Sequence, residues 1–166
     1  IASTGAKIRK TTIINYMDYC REAFLIYPIK NIADNLTQRE TNSKYYFVDN
    51  GIISLLALDI DTSLLENMVT IELIRRYGVT DQVFFYNKGV EVDFYVPEEA
   101  LAIQVSHTPH KTDDTWQRES SALVKLSNQL DCRQLLILSY EEEGSFQVEG
   151  KEIRVLPVWK WLLEQI

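Results

Sequence analysis

Three strand-like segments that follow one another with almost no chain between them constrain the fold most. Residues of the β-branched and aromatic types dominate them, and Asn, Gly and Pro occupy the turns between them. The segments are 83–87 (VFFYN), 90–96 (VEVDFYV) and 101–106 (LAIQVS). Connections this short allow only antiparallel neighbours. A helix predicted over 113–130 follows, and then RQLLILSY, an apolar run typical of a buried strand. Because a helix intervenes, we expect 134–140 to lie parallel to 101–106 in the same sheet.

The flanking segments extend this sheet into an α/β layout. Apolar residues at helical spacing predict helices over 11–23 and, most strongly, over 63–77. FLIYPI and KYYFV are predicted strands, SFQV-EG-KEIRVL is a predicted hairpin, and a last helix is expected to begin at Pro157. The predicted fold is therefore a mixed four-stranded core sheet flanked by helices, with a short N-terminal helix–strand appendage.

The first 43 residues are too few to bury a core of their own. Their helix carries an apolar stripe of Ile13, Tyr16, Met17 and Cys20. Large exposed apolar patches are unfavourable in monomers, so we expect this segment to pack loosely or against a second copy of the chain. Residues 31–43 are polar and without a period. We therefore divide the chain into a partial domain with its linker, 1–43, and a second domain, 44–166.

Charge is distributed unevenly along the chain. The net charge of the whole chain is -7, but residues 1–44 carry +3 and the remainder carries -10. An acidic body repels phosphate at long range, so nucleic acid is expected to bind at the basic start or in a cleft that holds a metal ion. No apolar run approaches the roughly 18 residues of a membrane span. Two isolated cysteines fit a reducing cytoplasm.

Polar residues on the central strands form the candidate site. Strict alternation places Val90, Val92, Phe94 and Val96 on one face and Glu91, Asp93 and Tyr95 on the other. Gln104 and Ser106 share a face of the next strand. If the two strands pair, Asp93 and the Gln104 amide oxygen lie side by side as oxygen ligands for Mg²⁺. The alternative is that these residues form only the solvent face of a hairpin.

Glu66 on the preceding helix has two interpretations. It can complete an acid cluster with Asp93. It can equally reach back to the Ser63 amide, because Ser63-Leu-Leu-Glu66 matches a capping box. His107 and His110 are spaced like zinc ligands, but no third ligand is evident, and a mobile polar loop is the simpler interpretation.

Four phrases in a fixed order resemble a known family. They are KYYFVDNGIISLLA, LLENMVTIELIRRYG, VFFYNKGVEVDFYV and LAIQVSHT. Their order and spacing resemble a domain of unknown function found at the C-terminus of many prokaryotic AAA-type ATPases. Residues 1–43 resemble the second half of the winged-helix segment that precedes that domain. The resemblance implies that an ATP-binding domain lies upstream in the parent chain and is absent from these 166 residues.

The resembled domain has the restriction-endonuclease-like, PD-(D/E)xK fold. Carried over, Glu66 matches the helix acid, Asp93 the metal aspartate and Gln104 the second metal acid, while Ser106 stands where the lysine belongs. Glu91 matches a family position of unclear role. Gln104 and Ser106 thus depart from the nuclease pattern. Lys88 and Lys111 are candidates for a displaced lysine, and the sequence favours neither.

This resemblance leads to an expectation about function. The chain is expected to be a nuclease-like domain that has lost catalysis, because a neutral amide and a hydroxyl replace an acid and a cation. It would then serve DNA binding or assembly, with the ATPase domain of its own chain, DNA or a second copy as partner. The alternative is an active Mg²⁺-dependent nuclease with a relocated lysine. A scaffold without any site is a third interpretation.

Overall fold

The computed structural model describes residues 9–39, 41–56, 61–79, 81–110 and 113–164. Helices and strands alternate along these residues. In chain order they are α1 (Lys10–Glu22), β1 (Ile26–Asn31), α2 (Leu36–Arg39), β2 (Ser43–Phe47), α3 (Asn50–Leu56), α4 (Asp61–Tyr77), β3 (Phe84–Asn87), β4 (Glu91–Val96), β5 (Leu101–Val105), α5 (Asp113–Ser127), β6 (Gln134–Ser139), β7 (Gly144–Val148), β8 (Lys151–Pro157) and α6 (Val158–Leu163).

The strands form one mixed sheet in the order β2-β1-β3-β4-β5-β6-β8-β7. β3, β4 and β5 are antiparallel neighbours, and β6 is parallel to β5 across the α5 crossover. The predicted arrangement of the four central strands is therefore confirmed. The sheet has eight strands rather than four, because the β1–β2 pair extends it on one side and the β7–β8 hairpin on the other.

Helices cover both faces of this sheet. The face packed by α4 and α6, here called the α4 face, contains Val69, Leu73, Phe94 and Trp161, all almost fully buried. The face packed by α5, here called the α5 face, buries Val92, Leu123 and Ile137 among others. β6 contributes side chains to both faces, which explains its continuous apolar sequence.

The N-terminal segment is joined to the sheet through β1. This strand pairs antiparallel with β2 over five residue pairs and parallel with β3 through Lys30–Phe84 and Asn31–Phe85. The boundary predicted between residues 43 and 44 falls inside β2. None of the four residues of the predicted α1 stripe is buried, and Tyr16 is 59% exposed. α1 thus leaves part of its apolar surface uncovered by the described chain.

Local details differ from the sequence expectations in three places. A short helix, α2, lies within the stretch expected to be a loop. α4 begins at Asp61, two residues before the predicted start. Pro157 ends β8 and caps α6, which begins at Val158. Among the described helices, none is both long and apolar enough to cross a membrane.

Candidate active site

A β-bulge in β4 shapes the site. Tyr86 on β3 pairs with Val92, whereas Phe84 pairs with Tyr95, so β4 has one residue more than β3 over this stretch. As a result, Val92 packs on the α5 face with Tyr95, and Phe94 packs on the α4 face. The predicted strict alternation along β4, which placed Val92 with Phe94, is therefore wrong. An extra residue in one strand cannot be read from that strand alone.

Asp93 lies at this bulge and is held by β5. Its Oδ2 accepts a hydrogen bond from the Val105 amide at 2.9 Å, and its own amide donates to Oε1 of Gln104 at 2.7 Å. Side chains thus replace the regular ladder at this end of the β4–β5 pair, whose register covers Phe94 to Val96. The structure brings Asp93 and Gln104 together, although the bond to Gln104 is made by the Asp93 backbone.

A lysine from β2 lies among the acids. Lys44 Nζ is 2.6 Å from Glu91 Oε1, 3.6 Å from Asp93 Oδ1 and 3.8 Å from Glu66 Oε1. Its ammonium group lies 5.3 Å from the centre of the Phe85 ring. We call these four charged residues the Lys44 cluster. The ammonium group links the carboxylates of α4 and β4, which come from distant parts of the chain.

Glu66 takes part in this cluster and does not cap its helix. Its Oε1 accepts a hydrogen bond of 2.5 Å from the hydroxyl of Tyr46, and Lys44 lies on the same oxygen. The capping-box interpretation with Ser63 is wrong, since α4 begins before Ser63 and the carboxylate faces β2. Glu66 thus points toward Asp93, with the Lys44 ammonium between them.

Negative charge exceeds positive charge in the Lys44 cluster. The pKa of Asp93 is raised to about 7, first by burial and then by the neighbouring Glu66 carboxylate, whose effect is larger than the opposing effect of Lys44. Burial lowers the pKa of Lys44, but the hydrogen bond to Glu91 and the charges of Asp93 and Glu66 outweigh burial, so the pKa lies above its usual value. Burial, and then Glu66, raise the pKa of the Tyr46 hydroxyl well above its usual value. The cluster therefore favours an additional cation or a proton.

A further acid, Glu119, lies near Asp93 on the α5 face. Gln104 Nε2 donates a hydrogen bond to Glu119 Oε2, so the Gln104 amide lies between the Asp93 backbone and the Glu119 carboxylate. Glu119 is 5% exposed, and its other oxygen accepts a hydrogen bond of 2.6 Å from Arg118. A cleft of about 480 Å³ between β4, β5 and α5 is lined by Asp93, Gln104 and Glu119.

The remaining predicted residues lie outside this arrangement. Ser106 is buried, its amide donates to the Leu138 carbonyl, and its hydroxyl is neutral. Lys88 is exposed in the β3–β4 turn, and Lys111 lies outside the described residues. His107 stacks on Tyr140.

His110 is in contact with other side chains. It stacks on Trp116 and lies 2.5 Å from Glu142. No three His, Cys, Asp or Glu residues of the described ranges are arranged as a metal-binding group.

Sequence reasoning missed Lys44, Tyr46 and Glu119. Lys44 and Tyr46 were hidden because β2 stands three places from β4 in the sheet order, which no local pattern reveals. Glu119 had a detectable signal. It falls between Trp116 and Leu123 on the inward stripe of α5, where an acid requires a partner.

Comparisons with known proteins place the chain near uncharacterised ones. Residues 1–76 match a family model described as "Domain of unknown function (DUF8612)". The chain is 34% identical to "Uncharacterized protein MJ1544" of Methanocaldococcus jannaschii over 96% of its length, and 32% identical to an "Uncharacterized protein" of Haemophilus influenzae over 92%. It spans 38% and 37% of the lengths of these relatives. No solved structure matches the chain.

Proposed function

We propose that this chain carries a restriction-endonuclease-like site for divalent-cation-dependent hydrolysis of phosphodiesters, in which Lys44 supplies the cation that position 106 lacks. The observation that carries the proposal is the Lys44 ammonium group within 4 Å of three carboxylates, one of them Asp93. The loss of catalysis expected from the sequence depended partly on the absence of this cation. Neither of the earlier candidates, Lys88 and Lys111, is required.

The topology is compatible with this proposal. Antiparallel β3, β4 and β5, followed by α5 and the parallel strand β6, give the arrangement of central strands that the resemblance implies. The candidate residues lie where β4 and β5 separate, at one end of these two central strands. Assignment to the restriction-endonuclease-like fold is part of the proposal.

The donor atoms around Asp93 suit a hard divalent cation. Asp93 and Glu119 offer carboxylate oxygens and Gln104 an amide oxygen, which are the ligand types that Mg²⁺ and Mn²⁺ accept in proteins. In this interpretation Glu119 replaces the acid that is missing at position 104. A bound Mg²⁺ would supply Lewis-acid activation of the phosphate and of a water molecule. The raised pKa of Asp93 indicates that added positive charge is favourable here.

The protein's own groups have separate parts in this site. Lys44 is placed to stabilise negative charge that develops on a phosphate next to Asp93. Tyr46 fixes the orientation of Glu66, and Arg118 fixes that of Glu119. Removing one such preorganised charged group commonly lowers kcat by about a hundredfold to a thousandfold.

The upstream context belongs to the same proposal. In the parent chain this domain would follow a winged-helix segment and an AAA-type ATPase domain that binds ATP. Both relatives are more than twice as long as this chain, which leaves room for such a domain in those proteins.

Cleavage assays test the role of Lys44. Wild-type chain, Lys44→Met, Lys44→Arg and Glu119→Gln are incubated with plasmid and labelled oligonucleotides in Mg²⁺ or Mn²⁺. We expect cutting by the wild type, a loss of about a hundredfold in Lys44→Met and in Glu119→Gln, and partial activity in Lys44→Arg, which keeps the charge. Lys151→Met on β8 is the matched control and should cut like the wild type.

Two results would contradict the proposal. One is a wild-type chain that cuts neither substrate with either ion; this would favour the non-catalytic binding domain expected from the sequence. The other is undiminished cutting by Lys44→Met. Thermal unfolding of every variant shows whether a loss reflects chemistry or folding, since removing Lys44 leaves three carboxylates unpaired.

A further inference from the structure

A polar groove leads away from the candidate active site between α5 and the β3–β4 turn. The cleft of about 480 Å³ at Asp93 adjoins a second cleft of about 360 Å³, and the two share Gly89, Val90 and Lys125 as lining residues. We call the two together the α5 groove. It is a continuous surface with the acids at one end.

Charge is divided along the α5 groove. The end at Asp93 also contains Glu91 and Glu119, which pair with Lys44 and Arg118 respectively. The far end is lined by Lys88, Lys125, Asn128 and Gln129 together with the two shared residues of the turn, and none of these described lining residues is acidic. On a chain of net charge -7, two exposed lysines facing one groove without an acid are a local departure from the overall sign.

The far end is fixed in shape by Tyr86. Its hydroxyl lies 2.5 Å from Oε1 of Gln129, in the turn that follows α5, and 3.4 Å from the Lys88 carbonyl, and so ties the β3–β4 turn to the turn after α5. Gly89 has a φ of +80°, and a side chain added there would meet nothing within 4 Å. The turn therefore leaves open space beside its backbone, into which a ligand can approach closely.

The spacing of the cations suits a chain of phosphates. Arg118 and Lys125 both line the groove from α5 and are seven residues apart, about two helical turns or roughly 10 Å. That distance corresponds to the rise of about three base pairs along the axis of a duplex. The lining contains neither an exposed aromatic residue for base stacking nor an acid at the far end, which fits contacts to the backbone rather than to bases.

We propose that the α5 groove is a phosphate track that holds a nucleic-acid backbone beside the active site, with Lys88 and Lys125 each contacting a phosphate. This rests on the proposed function in so far as the strand continues to Asp93. Binding along the track is independent of sequence, because phosphates carry no sequence information. The acidic remainder of the chain does not prevent it, since charges more than about 10 Å away are largely screened at about 0.1 M salt.

The test is binding without hydrolysis. Fluorescence anisotropy of a fluorescein-labelled oligonucleotide, single-stranded or duplex, is measured in EDTA over a series of KCl concentrations. Lys88→Gln, Lys125→Gln and the double variant are compared with the wild type. The control is Arg133→Gln, which also removes one positive charge. Arg133 lies next to the start of β6, at the end of the β5–β6 pair that is opposite to Asp93.

The slope of log association constant against log salt is negative. We expect each lysine variant to make this slope shallower by about 0.7–0.9, the amount for one phosphate contact, and the double variant to make it shallower still. Arg133→Gln should keep the wild-type slope. An unchanged slope in the double variant would overturn the track, and so would an equal decrease in Arg133→Gln or the absence of wild-type binding at the lowest salt concentration.

The two proposals can fail separately. Because EDTA removes the metal ion, the slope does not depend on catalysis. Decreased slopes in a chain that never cuts would support the track and contradict the hydrolytic site. Cutting abolished by Lys44→Met, together with unchanged slopes in the lysine variants, would do the opposite.

Discussion

At the scale of single residues, Asp93 is a largely buried carboxyl group with other carboxylates close to it. It is surrounded by buried surface and by Glu66 and Glu119, and these raise its pKa from the ordinary 3.8 to about 7. A carboxyl group with a higher pKa in the folded state than in the unfolded state binds its proton more tightly when folded. The folded chain is therefore favoured by protonation of Asp93, and this contribution is lost as the pH rises through about 7.

Asp93→Asn should remove this pH dependence. Asparagine keeps an oxygen for the Val105 amide but carries no charge to oppose Glu66. We expect the variant to exceed the wild type in free energy of unfolding by about 1–3 kcal/mol at about pH 8, and by much less at about pH 5, where Asp93 is protonated. Urea denaturation at both pH values measures the difference. A difference that is the same at both would show that Asp93 is not the group responsible.

At the scale of elements, the contact between α4 and β2 holds Lys44 in place. Asn67 on α4 is 1% exposed, and its side chain bonds to both the amide and the carbonyl of Phe47 and to Asn50 Oδ1. The two bonds to Phe47, at 2.8 and 2.9 Å, fasten the end of β2 to α4, and the third, at 2.8 Å, fastens α3 to α4. We call these three bonds the Asn67 clamp. The Tyr46–Glu66 bond lies beside them.

Asn67→Ala should destabilise the chain and release β2. The variant leaves three polar groups without a side-chain partner, and we expect a loss of about 2–4 kcal/mol in the free energy of unfolding. Chemical denaturation measures it, and Asn128→Ala in the exposed turn that follows α5 should change the free energy of unfolding by less than about 0.5 kcal/mol. Equal effects in the two variants would show that the Asn67 clamp is not specific.

Elements that are formed by residues close together in the sequence could be predicted, whereas features that depend on distant residues could not. β3, β4, β5 and the α5 crossover were predicted because short turns and apolar periods are local signals. The bulge at Asp93 was not, because it depends on the register against β3. Glu66 and Asp93 were singled out from their places on the helix and the strand, and the resemblance assigned both to a metal site. Their partner Lys44 was missed because its position depends on β1 pairing with β3, more than fifty residues away in the chain.

At the scale of the whole molecule, the sheet has one weak junction. β1 and β3 share only the pairs Lys30–Phe84 and Asn31–Phe85, whereas β5 and β6 share five pairs. In the backbone, the β1–β2 unit is held to β3 by this junction and by the bond from the Ile32 amide to the Phe85 carbonyl. Side chains add the bonds of Asn31 to Asn87, the Asn67 clamp, the Tyr46–Glu66 bond and the Lys44 cluster. Few interactions at a boundary favour local opening over global unfolding.

Native-state hydrogen exchange should show this difference. We expect amides of β1 and β2 to exchange through a partial opening with a lower free energy than amides of β5 and β6, which should exchange only on global unfolding. Asn67→Ala should accelerate exchange in β2 selectively. Uniform protection across all four strands would mean that the junction opens only with the whole fold.

The residues of the Lys44 cluster, and Glu119 beside them, lie far apart along the chain. Their positions therefore set the order in which a ribosome makes the parts of the candidate site. Lys44 leaves the ribosome first, Glu66 follows 22 residues later, and these two can meet as soon as β2 and α4 have formed. Glu119 comes 75 residues after Lys44, which corresponds to roughly 4–15 s of synthesis. During that interval the nascent chain holds the lysine and the acids of α4 and β4 without the carboxylate of α5. Asp93 and Glu119 are therefore unable to hold a cation together on a nascent chain until α5 has been made, however early Lys44 and Glu66 have met.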